Sequence, residues 1–386
     1  MSHTTIILST SYGAVLRYPD NFSVDLVSTP YICKSQQTDS FNGKKKKKKK
    51  KKFESRQPNR GEIAQMEYFA KIREDLLQRY NNLLTASRTI GYLPVQQPAV
   101  VQPCSTKSET SGSMNKYFCL KADDCVLDLC NDTIIEGDLD EKFIHNKSDV
   151  NIKLKTQKCV YNIPGLSSFF MSDICEFDLL MPHLVCRKYN LIVIDPPWEN
   201  RSAIRGKKYQ WISHNQLTSL PIQLISAPGG LIVVWVTNKT KLRDFVHDTL
   251  FPSWNVATVG EWHWIKVTTE GELVFDIDSL HKKPYEVLII GEYRVGALSC
   301  VENEDIPPDA KKGKLTLYSE MSTPLPYNYA FLCVPTRVHS QKPYLGDLFA
   351  PYLPTNPWCL ELFARNLHHG WTSWGNEVLK FQEMSS

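Results

Sequence analysis

The sequence predicts an α/β protein built on one open sheet, and three observations carry that reading. From about Tyr161 onward, short β-branched runs alternate with turn signals and helical patches. Several of these runs are continuously apolar rather than strictly alternating, as suits strands covered on both faces by helices. A chain of 386 residues with 42% hydrophobic content also has enough apolar side chains for one large domain and a smaller companion.

In chain order, residues 1–60 carry few periodic apolar positions and many Ser, Thr and Gln. They include the unbroken lysine run Lys44 to Lys52, whose like charges repel. This segment is expected to be a disordered tail. The run reads equally as a nuclear import signal, a phosphate-binding arm or a simple-sequence expansion. It tilts the expected location toward the nucleus, with the cytosol as the alternative.

Residues 61–155 read as a small, mostly helical accessory region. Ile63, Met66, Phe69, Ile72, Leu76, Tyr80 and Leu83 recur at three- and four-residue intervals, which predicts an amphipathic helix. A connection rich in Pro, Gln and Ser follows from Gly91 to Ser113. Met114 to Lys155 is polar with weak apolar spacing.

Residues 156–386 form the main domain. Its predicted strands are Leu191 to Ile194, Gly230 to Val236, Trp262 to Val267, Tyr285 to Ile290, Phe331 to Pro335 and Cys359 to Phe363. Ligands of such a sheet are expected at the carboxyl ends of its strands. Trp254, Trp262 and Trp264 fit core positions, and His263, His339 and His369 show no metal-ligand spacing.

Bulk properties exclude several classes. The net charge is +4, but the lysine run alone supplies more than that, so the remainder is mildly acidic and charge alone gives no case for nucleic-acid binding. Eleven scattered cysteines, with Cys125 and Cys130 as the one close pair, suit reduced thiols inside a cell rather than a zinc site. The longest apolar run, Leu231 to Val236, is too short to span a bilayer, so no membrane role and no metal are expected.

Chemistry concentrates at Asp195-Pro196-Pro197-Trp198, directly after an apolar strand. Two prolines end the strand because neither offers an N–H to a ladder, and they stiffen the turn. The Pro196 carbonyl and the Asp195 carboxylate then make two acceptors for a planar NH2 group. Accepting from both N–H bonds pulls that nitrogen toward a pyramidal, nucleophilic form. Trp198 is expected to stack on the ring bearing the amine, worth roughly 1 to 3 kcal/mol. An electrophilic sulfonium methyl held in line would complete the centre, and positioning of this kind supplies on the order of 7 to 11 kcal/mol.

On that motif, residues 161–381 resemble the D-P-P-W family of N6-adenosine methyltransferases. The blocks Glu261 to Lys266 (EWHWIK), His281 to Glu286 (HKKPYE), Glu361 to Asn366 (ELFARN) and Gly370 to Glu377 (GWTSWGNE) resemble one branch of it. The helix bearing Met66 to Tyr68 and Lys71 to Arg73 extends that likeness. The resemblance implies a permuted Rossmann-like fold dependent on S-adenosylmethionine, with the catalytic strand preceding the strand that holds the cofactor ribose. It implies that Asp173 and Ile174 meet the cofactor's adenine and that Lys283 neutralises its carboxylate. It further implies that Arg365, Asn366, Asn376 and Glu377 line the ribose, and that Asp195 also meets the cofactor's amino group. The substrate it implies is adenine in nucleic acid, RNA before DNA, and for this branch an internal 2'-O-methyladenosine of a spliceosomal small nuclear RNA.

Many adenine methyltransferases carry F-x-G-x-G where this chain reads Phe363 to Asn366 (FARN), so glycines are not available there for close backbone approach. The stretch from Arg365 to Gly375 is also shorter than in the messenger-RNA enzyme, which leaves His368 without an assignment. Asn200, Arg201, Arg205, Lys207, Lys208 and Tyr209 follow the catalytic turn as a basic loop suited to substrate phosphates. Three rival readings stay open: an enzyme acting on DNA adenine, one acting on a glutamine amide, and a non-catalytic RNA-binding scaffold.

Overall fold

The computed structural model describes residues 5–18, 58–94, 118–121, 126–129, 133–136, 139–157, 159–199, 211–279, 282–295, 323–338 and 340–384. The lysine run lies outside the described residues, as do His339 and all six residues of the basic loop, Asn200, Arg201, Arg205, Lys207, Lys208 and Tyr209.

Sixteen strands are described: β1 (Ile6–Thr10), β2 (Gly13–Leu16), β3 (Phe118–Lys121), β4 (Val126–Leu129), β5 (Thr133–Glu136), β6 (Phe143–Asn146), β7 (Ile152–Lys155), β8 (Val160–Ile163), β9 (Ser168–Phe170), β10 (Tyr189–Ile194), β11 (Ser226–Val236), β12 (Val256–Lys266), β13 (Tyr285–Tyr293), β14 (Asn328–Cys333), β15 (Cys359–Leu362) and β16 (Trp371–Trp374). Twelve of them form one mostly parallel sheet in the order β1-β2-β14-β12-β13-β11-β10-β15-β16-β9-β6-β4, and β3, β5, β7 and β8 form a second sheet. All six predicted strands are present within this frame.

Alternation along β10 explains the layering. Ile192 and Ile194 point into one apolar cluster, while Leu191 and Val193 point into another on the opposite face. All four are buried, which accounts for their reading as one continuous apolar run. From β10 the chain passes to its parallel neighbour β11, and from β15 to its neighbour β16 on the other side. The strand order therefore reverses between β10 and β15, and a crevice opens at their carboxyl ends.

The amino-terminal part differs from the sequence expectation. Residues expected in a disordered tail form the β1–β2 hairpin, and β2 extends the large sheet by pairing with β14. The region expected to be a mostly helical companion contributes β4 and β6 to the same sheet, and β7 pairs with β8 across the expected boundary at residue 155. Its strands are short, mostly four residues each, so each gives too few alternations to read as a strand.

The long helix α1 (Arg60–Thr89) is as the periodicity predicts. Asn59 and Glu62 close a capping box at its start. Phe69, Leu76, Leu83 and Leu84 are buried, whereas Ile63 and Met66 in the first turns are exposed. The helix packs against β1, β2, β14 and the helix Thr240–Phe245, so it is part of the main core. Leu83→Ala should cost about 2–5 kcal/mol of stability if α1 is integral. Urea unfolding followed by circular dichroism checks this, and a loss within a few tenths of a kcal/mol would show a loosely attached helix.

Candidate active site

Asp195 stands at the carboxyl end of β10, and its N–H donates to the Leu362 carbonyl at the end of β15, 3.4 Å away. The motif thus sits at the reversal point of the sheet. Trp198 N–H donates to the Pro196 carbonyl at 2.8 Å, closing a three-residue turn, and Ile212 N–H donates to the Pro197 carbonyl at 3.3 Å. The Pro196 carbonyl is free of the sheet as predicted, but one of its lone pairs is taken by this turn.

Trp198 corrects the expectation of base stacking. The residue is 7% exposed, its indole N–H donates to the Trp235 carbonyl at 2.9 Å, and Phe245 packs edge-on against it. A side chain used this way anchors the turn to the end of β11 and leaves no open face for a base.

Asp195 Oδ2 accepts from Lys342 Nζ at 2.8 Å, and the same ammonium lies 3.4 Å from Glu286 Oε2. Lys266 closes the chain on Glu286 Oε1. Burial alone would raise the Glu286 carboxyl, but Lys342 and Lys266 hold it down at about 2. Burial likewise works against the Lys342 charge, and Asp195 and Glu286 outweigh it, raising its pKa above the ordinary lysine value. No partner of Asp195 Oδ1 is present among the described residues.

Two adjoining cavities lie at the catalytic turn, one lined by Asp195 and the other by Pro197. The larger, about 570 Å³, is lined by Asp173, Ile174, Pro197, Arg365, Asn376 and Glu377, with Trp211 at its edge. The smaller takes in Asp195, Lys342, Glu361, Asn366 and His368, and Phe363 and Arg365 border both. Seven of the eight residues carried over for the cofactor therefore converge. The exception is Lys283, whose Nζ donates to the Ile277 carbonyl at 2.8 Å and lies over the Phe69 ring. Lys342, not Lys283, lines the smaller cavity. Both lysines precede a proline, so the sequence offers two equivalent pairs, Lys283-Pro284 and Lys342-Pro343, and only the fold separates them.

The missing glycines after β15 are replaced in two ways. Phe363 itself takes the left-handed conformation, φ +60°, at a strain of roughly 1–2 kcal/mol. Gly375 after β16 supplies the close approach, since a Cβ there would lie 2.6 Å from the Ala364 carbonyl oxygen. The β15 and β16 ends consequently touch, with Ala364 N–H donating to the Trp374 carbonyl at 2.9 Å.

Glu361, absent from the sequence-based set, is the most perturbed acid in the crevice. Burial and the neighbouring Asp195 charge push its carboxyl up to about 8. Its Oε2 is buried without a hydrogen bond, 3.7 Å from His368 Nε2, and burial pushes that imidazole down to about 4. The smaller cavity thus offers a fixed ammonium beside an acid with an unfilled hydrogen-bonding site, donors and acceptors suited to a zwitterion. The larger offers Asp173, Asn376 and Glu377 for the hydroxyls and amine of a nucleoside.

Trp254, Trp262 and Trp264 are fully buried, as expected of core residues. Among the described residues no cluster of His, Cys, Asp and Glu is arranged to hold a metal ion, and no helix is long and apolar enough to cross a membrane.

A reversed open sheet with an acidic turn over a nucleoside-sized cavity defines a Rossmann-like α/β methyltransferase domain. The sequence pattern of the MT-A70 family matches residues 189–305 and 309–377. The chain is 37% identical over 340 residues to N(6)-adenine-specific methyltransferase METTL4 of Mus musculus, covering 84% of this chain and 68% of that protein. It is 37% identical over 207 residues to N6-methyladenosine RNA methyltransferase MTA1 of Pyricularia oryzae, 51% of this chain and 49% of that one. It is 30% identical over 230 residues to the DNA N6-methyl methyltransferase of Caenorhabditis elegans, 58% and 54% of the two chains. The chain belongs to the MT-A70 family.

The raised Glu361 carboxyl has a measurable sign. The unfolded chain releases this proton near the ordinary carboxyl value, while the folded protein keeps it up to about 8. Stability contributed by Glu361 therefore falls as pH rises through that window. Glu361→Gln should flatten the decline in melting temperature between about pH 5 and 8, and an unchanged slope would place the titration elsewhere.

Proposed function

We propose that this protein transfers a methyl group from S-adenosylmethionine to the N6 amine of adenine in RNA. The observation that carries the reading is the division of labour on Asp195: Lys342 holds Oδ2, and Oδ1 remains for an amine at the wall of the smaller cavity. The donor set described above fits S-adenosylmethionine, with Lys342 for its carboxylate, Glu361 or Asp195 for its ammonium, and Asp173, Asn376 and Glu377 for its nucleoside. When bound, it supplies the electrophilic methyl.

The residues of this chain do the rest. Asp195 Oδ1 and the second lone pair of the Pro196 carbonyl accept from the two N–H bonds of the amine and aim its lone pair. The N–C bond forms as the S–C bond breaks, and the amine sheds one proton. Asp195 Oδ1, the carboxylate oxygen paired with the amine in this reading, accepts that proton. Lys342 keeps this carboxylate in place, so the acceptor is organised before substrate arrives. The adenine must be unstacked to reach the crevice.

RNA is favoured by the name of the Pyricularia oryzae relative, and DNA by that of the Caenorhabditis elegans relative. The blocks Glu261 to Lys266 and Gly370 to Glu377 support an internal 2'-O-methyladenosine of a spliceosomal small nuclear RNA as the preferred target. The lysine run supports a nuclear location.

Incubation with labelled S-adenosylmethionine and matched RNA and DNA oligonucleotides, followed by nucleoside mass spectrometry, should show N6-methyladenine with RNA preferred. Asp195→Ala should abolish this product while the melting transition persists, and product that survives the substitution would refute the assigned role. Lys342→Met should weaken S-adenosylhomocysteine binding by calorimetry at least about tenfold, whereas Lys283→Met should leave it within about twofold.

A further inference from the structure

The helix α1 lies outside residues 189–377, yet it reaches the reacting centre through a continuous set of contacts. Tyr68 OH donates to Glu261 Oε1 at 2.5 Å and lies 3.0 Å from His263 Nε2. Arg243 donates to the other oxygen of Glu261 at 2.6 Å, and its guanidinium lies 3.5 Å over the Tyr68 ring. Both side chains of that ion pair are nearly inaccessible, so each depends on its partners to offset the cost of burial. Burial alone would raise the Glu261 carboxyl, but the His247, Arg243 and Tyr68 contacts hold it at about 2.

Arg243 belongs to the helix Thr240–Phe245, whose last residue faces the catalytic turn. The Phe245 ring meets Trp198 edge-on at 6.4 Å and stacks on His214 at 3.8 Å. Just before that helix, Lys239 Nζ donates to the Glu199 carbonyl at 3.4 Å. Trp198 and Glu199 enter the segment 200–210, and Trp211 to His214 leave it. One short helix therefore grips both stems, and α1 grips that helix.

We propose that Tyr68 is a positioning residue for methyl transfer: by fixing the Arg243–Glu261 pair, it holds the helix Thr240–Phe245 against Trp198 and His214. The inference rests on the adenine-methylating reading for its kinetic arm only. Tyr68 lines neither cavity, so its loss acts on the placement of the turn and not on the cofactor donors.

The test is a double-mutant cycle in the full chain with Tyr68→Ala and Phe245→Ala, scored on an RNA oligonucleotide that the wild type methylates. Each single variant should lower kcat about tenfold, and the double variant should fall no further than the weaker single. S-adenosylhomocysteine affinity should stay within about twofold in all three, and Tyr68→Phe, which keeps the ring under Arg243, should recover part of kcat. Multiplicative losses, or affinity falling together with kcat, would overturn the proposal.

Hydrogen exchange at the Trp198 and Ile212 amides supplies a second arm that needs no turnover. Tyr68→Phe should speed exchange there and leave the β10 amides protected, whereas unchanged exchange would overturn the coupling. If Tyr68→Ala fails to fold, Tyr68→Phe carries both arms. A wild type that makes no N6-methyl product would sink the functional reading while the exchange arm still decides this one.

Discussion

An ammonium taken out of water costs several kcal/mol unless carboxylates meet it. Lys342 is met by two, Asp195 and Glu286, and Lys266 balances the second. This buried alternation of charge ties together the ends of β10, β12 and β13. It works because β13 runs antiparallel to β12, so that its first residues lie at the same edge of the sheet as the last residues of β12. Removing any one member would leave an uncompensated charge in the crevice. The same alternation leaves one oxygen of Asp195 available, so structural necessity and the proposed chemistry share a single side chain.

The crevice is supported from segments far away in sequence. Tyr18 OH donates to the carbonyl of Gln341, next to Lys342, at 3.3 Å, and Thr5 donates to Asp347 a few residues on. The residues flanking the amino-terminal hairpin thus brace the segment that delivers the lysine, while α1 packs on the helix Thr240–Phe245. Residues 189–377 carry the family pattern, but the described geometry of their site draws on residues well before it.

Much of the site was legible because its chemistry is local. An apolar strand running into Asp195-Pro196-Pro197-Trp198 announces both a strand end and an acidic turn, and the likeness of Gly370 to Glu377 to a family block pointed to Asn376 and Glu377, which line the larger cavity. What escaped depends on partners distant in sequence. Lys342 and Lys283 stand before equivalent prolines, and only burial and the position of Glu286 distinguish them. Glu361 read as one more residue of a strand until Asp195 was placed beside it. Trp198 read as an available ring, since nothing local shows that the Trp235 carbonyl takes its N–H. In the fold, the six apolar strands were visible, whereas β2 was hidden by its four-residue length and its separation from β14.

The β1–β2 hairpin also bears on how this molecule tolerates shortening. Its sequence invites trimming together with the lysine run that follows. A chain cut past Tyr18 would bare the backbone of β14 along one flank, where unpaired amides and carbonyls recruit strands from other molecules. It would also release the backbone beside Lys342 from its hydroxyl anchor. Aggregation and a slack lysine would then arise from one deletion made far from either.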